Sequence, residues 1–213
     1  MEKANNIEVM EQLIPIDEIN LAEMLANDSY KYEALRELIN GLKQHKHGRF
    51  ILGPSGVGKT TFEENQIPNK DGKIDWLDAD KLWYTSGALP PKTTEWWRKL
   101  GDGLNEYDIA ELDQRCDEVT KQAKGLGLWL IGASDNGIVP DAIVIPDWEQ
   151  HVAQIKHRES DPAEYARLGG AKSDKLDQVK SHIAQILTWE AKGAPRFKTV
   201  SEAADYLAKQ EGE

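Results

Sequence analysis

Hydrophobic residues form two kinds of pattern along this chain. Short continuous apolar runs are typical of buried strands, and apolar residues every three or four positions are typical of amphipathic helices. The predicted strands are, in order, RFILG from Arg49, KIDWLDAD from Lys73, LWLIGAS from Leu128, DAIVIP from Asp141 and RFKTV from Arg196. Helical spacing fills much of the chain around them. This alternation predicts an α/β fold with a parallel sheet covered by helices on both faces.

The helical stripes define the domain organisation. They run from Leu21 to Leu42, from Ile109 to Gly125, from Trp148 onward, from Ser173 to about Ala191, and through SEAADYLAK near the last residue. The first stripe precedes the first strand. Residues 1–48 are therefore predicted to be a helical N-terminal extension packed on a main domain of residues 49–213.

Composition narrows the classes of partner. With 37 Asp and Glu against 26 Lys and Arg, the formal net charge is −11. This charge argues against broad electrostatic adhesion to nucleic acid or an anionic membrane, and leaves room for a local basic site. Cys116 is the only cysteine, so a disulfide within the chain is excluded and a reducing compartment is expected. No apolar run approaches the roughly 20 residues of a membrane span, and no signal peptide pattern is present, so the sequence predicts a cytoplasmic protein.

A glycine-rich stretch, GPSGVGKT, follows the first predicted strand and fits the pattern G-x-x-x-x-G-K-[ST] at every specified position. Small residues allow successive backbone N–H groups to turn inward around phosphate, and the helix that follows adds the positive end of its dipole. Lys59 would reach the terminal phosphates, and Thr60 would offer its hydroxyl to magnesium. The predicted nucleotide-binding residues are Gly53, Ser55, Gly56, Val57, Gly58, Lys59, Thr60 and Thr61.

This stretch resembles the P-loop NTPase superfamily, and the resemblance implies a three-layer α/β fold with ATP and Mg²⁺ as cofactors. A GTPase would be expected to carry N-K-x-D, whereas NKDG from Asn69 places its aspartate one residue early. Motor and AAA-type ATPases usually end a buried strand with an acidic residue. LWLIGAS ends without one, and Asp135 falls one position beyond it. A switch or motor is therefore the weaker interpretation.

Two aspartates follow the second predicted strand, in WLDADKLW. An alcohol becomes a good nucleophile only as its proton is removed, so an alcohol kinase needs a base opposite the P-loop. Asp80 is the candidate for that base, and Asp78 either supports the magnesium or caps the turn. The alternative is that one or both carboxylates only end the strand and cap a helix.

With Asp80 placed opposite the P-loop, the stretch from about Arg49 to Lys209 looks like the small P-loop kinases. Examples are shikimate kinase, gluconate kinase and the kinase half of phage polynucleotide kinase. In those families a lid closes over ATP and supplies arginines to the transferring phosphoryl group. The matching stretch is about 158–175, where Arg158 and Arg167 are the candidates and Lys172 a lesser one. Arginine suits this role because its planar fork binds two phosphate oxygens. The alternative is that these are solvated helix charges, and His151 and His157 are predicted to be surface residues.

Aromatic and basic residues are concentrated in the predicted acceptor region, about 83–106. Flat side chains beside Arg98 and Lys99 favour a base or nucleic-acid strand over a sugar acid. The alternative is that the tryptophans fill the core. The predicted substrate-binding residues are Asp78, Trp83, Trp97, Arg98, Ser134 and Asp135.

The overall pattern looks most like phage-encoded kinases that phosphorylate the hydroxymethyl group of 5-hydroxymethyluracil in DNA. Such an enzyme would take the base out of the stack and hold it against aromatic side chains. The net charge is a departure from that expectation unless the basic residues share one face. Three hypotheses stay open: a kinase acting on modified DNA, a kinase of a free nucleoside, nucleotide or small metabolite, and a P-loop ATPase that is not a kinase.

Overall fold

A single five-stranded sheet forms the centre of the protein. The computed structural model describes residues 13–89, 106–133, 137–163, 165 and 170–211, and for 106–109 it describes the backbone alone. The strands are β1 (Arg49–Leu52), β2 (Trp76–Asp78), β3 (Trp129–Gly132), β4 (Ala142–Val144) and β5 (Arg196–Phe197). They pair in the order β2-β3-β1-β4-β5, and every pairing is parallel. All five strands fall where the apolar runs predict them.

The α-helices within the described residues are α1 (Leu21–Ala26), α2 (Glu33–Asn40), α3 (Lys59–Glu64), α4 (Ala79–Thr85), α5 (Glu106–Gly125), α6 (Trp148–Ser160), α7 (Leu176–Ala191) and α8 (Val200–Glu211). Short 3₁₀ turns occupy Ile16–Glu18, Tyr30–Tyr32 and Ser173–Lys175. No helix in these ranges is long and apolar enough to cross a membrane.

Alternate side chains of the strands enter two separate cores. Phe50 and Leu52 of β1 belong to the core formed with α1, α2, α4, α5 and α7, whereas Ile51 belongs to the core formed with α8. This alternation is the period-two geometry of a strand whose two faces are both covered. The protein therefore has the three-layer α/β fold of P-loop proteins, which confirms the predicted fold class.

The N-terminal helices share the main core. Leu21 and Leu35 are fully buried in the same hydrophobic cluster as Phe50 and Leu130 of the sheet. The stripe from Leu21 to Leu42 is not one helix, however, because Asn27 and Ser29 interrupt it. Each of these two side chains accepts a backbone N–H of the connecting turn, which offers the backbone an alternative to helix hydrogen bonds.

The sheet order places the loops after β1, β2 and β3 together. Leu52 pairs with Gly132, and Asp78 pairs with Ile131, so the carboxyl ends of these strands lie at one edge. In open parallel sheets, ligands bind at this edge, where the connections diverge.

Candidate functional site

The glycine-rich loop joins β1 to α3 in a conformation that only glycine adopts easily. Gly56 and Gly58 have φ values of +87° and +92°, in the region where L side chains are strained. Gly53 has a different role, because its N–H continues the sheet by donating to Gly132 O at 3.0 Å. A Cβ on Gly53 would lie 3.1 Å from Val57 Cγ1, so the loop could not close as tightly around any larger residue.

Lys59 is folded over the start of this loop. Its ammonium donates to the carbonyls of Gly53 and Pro54, at 3.3 and 3.1 Å, and the residue is 9% exposed. Burial lowers the pKa of Lys59, and the nearby carboxylates of Asp78 and Asp80 oppose that shift. The two aspartates thus favour the charged form, which is the form that attracts phosphate.

Thr60 and Asp78 bring the P-loop and β2 together. The Thr60 hydroxyl donates to Asp78 Oδ2 at 2.7 Å, and Asp78 is only 3% exposed. The other carboxylate oxygen of Asp78 accepts the N–H of Asp80 at 3.3 Å and so caps the first turn of α4. Asp78 can therefore cap α4 with one carboxylate oxygen while the other oxygen lies beside Thr60, where a magnesium ion is expected.

A hydroxyl and a carboxylate in contact are a donor set that suits Mg²⁺. This ion prefers hard oxygen ligands, and it is commonly bound through one or two carboxylates plus the phosphates of a substrate. Within the described residues there is no group of three His, Cys, Asp or Glu side chains that could hold a metal alone. The pair fits a magnesium ion that arrives with a nucleotide, and would not make a self-sufficient metal site.

Asp80, in the first turn of α4, lines the same cavity as Lys59. This cavity has a volume of about 790 Å³ and is lined by the P-loop, by Asp78, Asp80 and Tyr84 on one side, and by residues of α6 and of the β5–α8 connection on the other. Burial raises the pKa of Tyr84 to about 12, and the Asp80 carboxylate adds to that shift. A protonated phenol therefore lies in the same cavity as Asp80, and the cavity is large enough for a nucleotide.

His151 belongs to the site, which corrects its prediction as a surface residue. The side chain is fully buried on α6, and Nε2 lies 2.9 Å from the carbonyl oxygen of Ser55. A carbonyl can only accept, so Nε2 carries the proton. Burial lowers the pKa of His151 despite the hydrogen bond to Ser55, and Lys59 and Arg158 lower it further. A neutral imidazole therefore donates to the Ser55 carbonyl and ties the P-loop to α6.

The predicted lid contacts the P-loop through Ser55. The N–H of Ala171 donates to Ser55 Oγ at 3.0 Å, and a guanidinium nitrogen of Arg158 donates to the carbonyl of Ala171 at 3.2 Å. Arg158 also lines the cavity and approaches Lys59 closely enough to lower the pKa of that lysine. Its placement agrees with a phosphate-facing arginine on the approach helix.

Trp83 does not line the site, which corrects its prediction as a substrate-binding residue. It is 5% exposed, and its indole N–H donates to Thr120 Oγ1 at 2.9 Å inside the core. The helical period of α4 explains this placement, because Trp83 shares the buried face with Ala79 and Leu82 while Asp80 and Tyr84 face the cavity.

The residues of the far wall of the cavity carry no recognisable pattern in the sequence. Gln154 and His157 of α6 line it together with Thr199, Val200 and Ser201, which follow β5. None of these belongs to a motif. The remaining predicted site residues, Arg167, Trp97, Arg98, Ser134 and Asp135, lie outside the described residues.

Comparisons with known proteins add little to this geometry. No protein-family model matches the chain, and no curated protein matches it. A solved structure from the PezAT chromosomal toxin–antitoxin system of Streptococcus pneumoniae is similar to it, with 18% identity, 81% of this chain and 71% of that chain covered, and a TM-score of 0.40. A likeness at this level carries no argument about function. The sheet order and the glycine-rich loop make the chain an α/β protein with a P-loop at the carboxyl edge of its sheet.

Proposed function

We propose that this protein is an ATP-dependent phosphotransferase that moves the γ-phosphate to the hydroxyl of an alcohol. The observation that carries the proposal is that Asp78 and Asp80 have different partners. Asp78 contacts the P-loop threonine, whereas Asp80 lines the cavity that holds Lys59. A second carboxylate beside the phosphate site is what an alcohol acceptor requires and what an already ionised acceptor does not.

The groups of the chain have separate tasks in this reaction. Backbone N–H groups of the P-loop and the Lys59 ammonium bind the phosphates, and Thr60 with Asp78 would hold Mg²⁺, which neutralises charge on the β- and γ-phosphate oxygens when it is bound. The acceptor oxygen forms a bond to the γ-phosphorus, and the bond from that phosphorus to the β–γ bridging oxygen breaks. Asp80 takes the acceptor proton, and ADP leaves with the bridging oxygen.

The lid contact supports transfer to an acceptor over loss to water. The N–H of Ala171 donates to Ser55 Oγ, and Arg158 of α6 donates to the Ala171 carbonyl and so links α6 to that contact. Closing such a segment over bound ATP excludes water and limits hydrolysis. Arg167 stays a prediction for a second phosphate-binding arginine.

For the acceptor we propose the hydroxymethyl group of 5-hydroxymethyluracil in DNA. The resemblance to phage-encoded kinases supports it, and Tyr84 provides an aromatic side chain in the cavity beside Asp80. Trp83 gives it no support, because that side chain is in the core. A free nucleoside, a nucleotide or a small metabolite is the alternative acceptor.

The test is transfer of labelled phosphate from ATP to a panel of free nucleosides, nucleotides, and plain or hydroxymethylated DNA. Product in the hydroxymethylated DNA lane alone would support the proposal, and product with free nucleosides would move the acceptor to the alternative class. Label appearing only as inorganic phosphate with every acceptor would make the protein an ATPase.

Lys59→Ala should abolish transfer in this assay, and Lys156→Ala, which removes an exposed lysine of α6, serves as the matched control. Undiminished transfer by Lys59→Ala would remove the P-loop from the mechanism.

A further inference from the structure

A second cavity opens beside the P-loop, on the lid side. Its volume is about 400 Å³, and it is bounded by Ser55, by Gly170 and Ala171 of the lid, and by the residues that lead into α7. Ser55 and Gly170 line both cavities, so the two spaces adjoin at the start of the P-loop. Nothing in the reaction described above uses this second space.

The junction of the two cavities lies beside the P-loop lysine. Lys59 is the residue that reaches the terminal phosphates of a P-loop ligand, and its ammonium lies against the carbonyls of Gly53 and Pro54. Those carbonyls immediately precede Ser55 in the loop. The second cavity therefore adjoins the part of the P-loop beside Lys59, where the terminal phosphates of a nucleotide are expected to bind.

The described lining of this cavity is basic and polar. Lys172 and Lys175 line it together with Gln178 and His182, and no carboxylate is among its described lining residues. The two acidic side chains of the same stretch, Asp174 and Asp177, do not line it, although the chain as a whole is strongly acidic. Both lysines are exposed, and Glu159, which accepts the N–H of Ser173, is not among the lining residues. Two lysines without a carboxylate in the described lining favour an anion.

His182 fixes this wall to the sheet. Its Nε2 lies 2.9 Å from the carbonyl oxygen of Ala133, the residue that follows β3, so Nε2–H is the donor. The contact holds α7 at the carboxyl edge of the sheet, so the α7 side of the second cavity is anchored next to β3.

We propose that this second cavity binds a phosphate group of the acceptor, through Lys172 and Lys175, while the acceptor hydroxyl lies near Asp80 in the first cavity. The inference rests on the proposed phosphotransfer and specifies its substrate class as a phosphate-bearing nucleotide unit. A nucleoside monophosphate and a DNA strand offer the same chemistry, since both present a phosphate ester oxyanion next to the nucleoside.

The first measurement compares three acceptors that differ in phosphate: 5-hydroxymethyldeoxyuridine, its 5′-monophosphate, and an oligonucleotide that contains it. In the unchanged protein, the phosphate-bearing forms should have a KM about tenfold lower than the nucleoside, as charge-assisted hydrogen bonds to phosphate provide. A low KM for the monophosphate identifies a free nucleotide as the acceptor whose phosphate binds in the cavity. A low KM for the oligonucleotide alone identifies DNA as that acceptor. Equal KM values for all three acceptors would overturn the proposal.

The second measurement uses a Lys172→Gln, Lys175→Gln variant. It should lose about tenfold of the preference for phosphate-bearing acceptors, because the two ammonium groups are removed while the side chains stay long and polar. Lys180→Gln is the matched control, since Lys180 is an exposed lysine of α7, the helix that begins directly after Lys175, and it lies near Asp177 without lining the cavity. A preference unchanged in the double variant, or an equal loss in ATP affinity, would overturn the assignment.

A binding experiment separates this proposal from the phosphotransfer on which it rests. Equilibrium dialysis measures labelled 5-hydroxymethyldeoxyuridine 5′-monophosphate with the full chain in the presence of ADP. Binding that the double variant loses and Lys180→Gln keeps would support the cavity assignment even if no acceptor is phosphorylated. Transfer to the nucleoside without binding or preference for the monophosphate would retain the kinase and overturn the cavity assignment, and absence of both binding and transfer would overturn both.

Discussion

Asp78 and Asp80 are two residues apart and face different partners. Asp78 is buried between Thr60 and the first turn of α4, so both of its oxygens have partners within the fold. Asp80 is partly exposed and lines the cavity. The difference follows from their positions, because one ends a strand and the other lies within the first turn of a helix.

Asp80→Asn should lower the transfer rate by about two to four orders of magnitude, the range expected for loss of a general base, with a much smaller effect on ATP affinity. Asp78→Asn should instead raise the magnesium concentration needed for half-maximal rate, because it weakens the oxygen pair formed with Thr60. Steady-state rates over a magnesium titration distinguish them. If Asp78→Asn caused the larger loss at saturating magnesium, the two roles would be reversed.

His151→Leu should raise the dissociation constant for ATP by about tenfold, since the Ser55 carbonyl loses its hydrogen bond and a lost bond of this kind costs about 1–2 kcal/mol. His151→Gln can still donate to that carbonyl and should recover part of the affinity. Calorimetric titration with ATP measures both variants. Equal affinities in the unchanged protein and His151→Leu would show that His151 does not position the loop.

The same residue predicts a dependence of stability on pH. Burial lowers the pKa of His151 from the ordinary value of 6.5, so the unfolded chain binds a proton there before the folded chain does. The contribution of His151 to stability is complete above pH 6.5 and falls as the pH drops below it. Urea unfolding between about pH 5 and 8 should show this slope in the unchanged protein. A slope of equal size in His151→Leu would contradict the assignment.

At the scale of elements, the contact between the lid and the P-loop depends on close approach at Gly170. This residue has φ +99°, and a Cβ there would lie 2.6 Å from Ser55 Oγ and 3.0 Å from a guanidinium nitrogen of Arg158. The hydroxyl of Ser55 would have to turn away, and it would lose the hydrogen bond from Ala171. Only glycine allows the lid to reach the loop in this conformation.

Gly170→Ala should therefore reduce acceptor phosphorylation by about tenfold and raise the fraction of ATP lost to hydrolysis, since a lid that does not dock admits water. Gly193→Ala is a matched control, because Gly193 has φ +98° and a Cβ there would meet nothing within 4 Å. Both variants carry the backbone strain of about 1–2 kcal/mol, and only the first disturbs the lid. Equal ratios of transfer to hydrolysis in the two variants would contradict the role of this contact.

At the scale of the whole molecule, α8 is bonded to the residues that precede β1, at the opposite edge of the sheet from the P-loop. His45 lies between two carboxylates, with Nδ1 2.6 Å from Glu211 and Nε2 3.1 Å from Asp75, and its ring stacks on Trp129 at 3.7 Å. Glu211 also accepts the N–H of Lys46. This cluster joins α8 to the strand that carries the P-loop.

Glu211→Gln should lower the free energy of unfolding by about 1 kcal/mol at neutral pH, since a partly exposed charged hydrogen bond is lost. Burial opposes ionisation of Glu211, but the contacts from His45, Lys46 and Lys43 leave its pKa lowered. The contribution of ionised Glu211 to the free energy of unfolding is complete at pH values above the ordinary carboxylate pKa, and it is lost as the pH falls through the lowered pKa. The difference in free energy of unfolding between the unchanged protein and Glu211→Gln should therefore shrink in acid.

Urea unfolding at neutral and acidic pH measures this difference. Glu190→Gln is the control, because its pair with Arg196 is 45% exposed on both sides and should contribute less than about 0.5 kcal/mol. A constant difference between unchanged protein and Glu211→Gln at all pH values would show that the charge of Glu211 is not what stabilises the cluster.

The sequence by itself determined the features whose signal is local. The apolar runs placed all five strands, and the glycine spacing located the P-loop, because both are patterns among neighbouring residues. It also placed Asp78 at the end of a strand, whereas Asp80, which the predicted strand KIDWLDAD included, lies in the first turn of α4. The prediction that Trp83 binds substrate was wrong, because the sequence did not show which residues of the short helix α4 share its buried face. Trp83 is on that face, and Tyr84 lines the cavity.

The tertiary structure decided what depends on contacts between distant residues. His151 and Ser55 are 96 positions apart, and Ala171 and Ser55 are 116 apart, so no local pattern could join them. The order of the strands brought β2 close enough for Asp78 to reach Thr60, and the hydrogen bond between His182 of α7 and Ala133 after β3 placed one wall of the second cavity. These contacts exist because each helix takes the position in which it buries the apolar faces of the sheet. The free energy of this burial depends on the assembled sheet and not on any one segment.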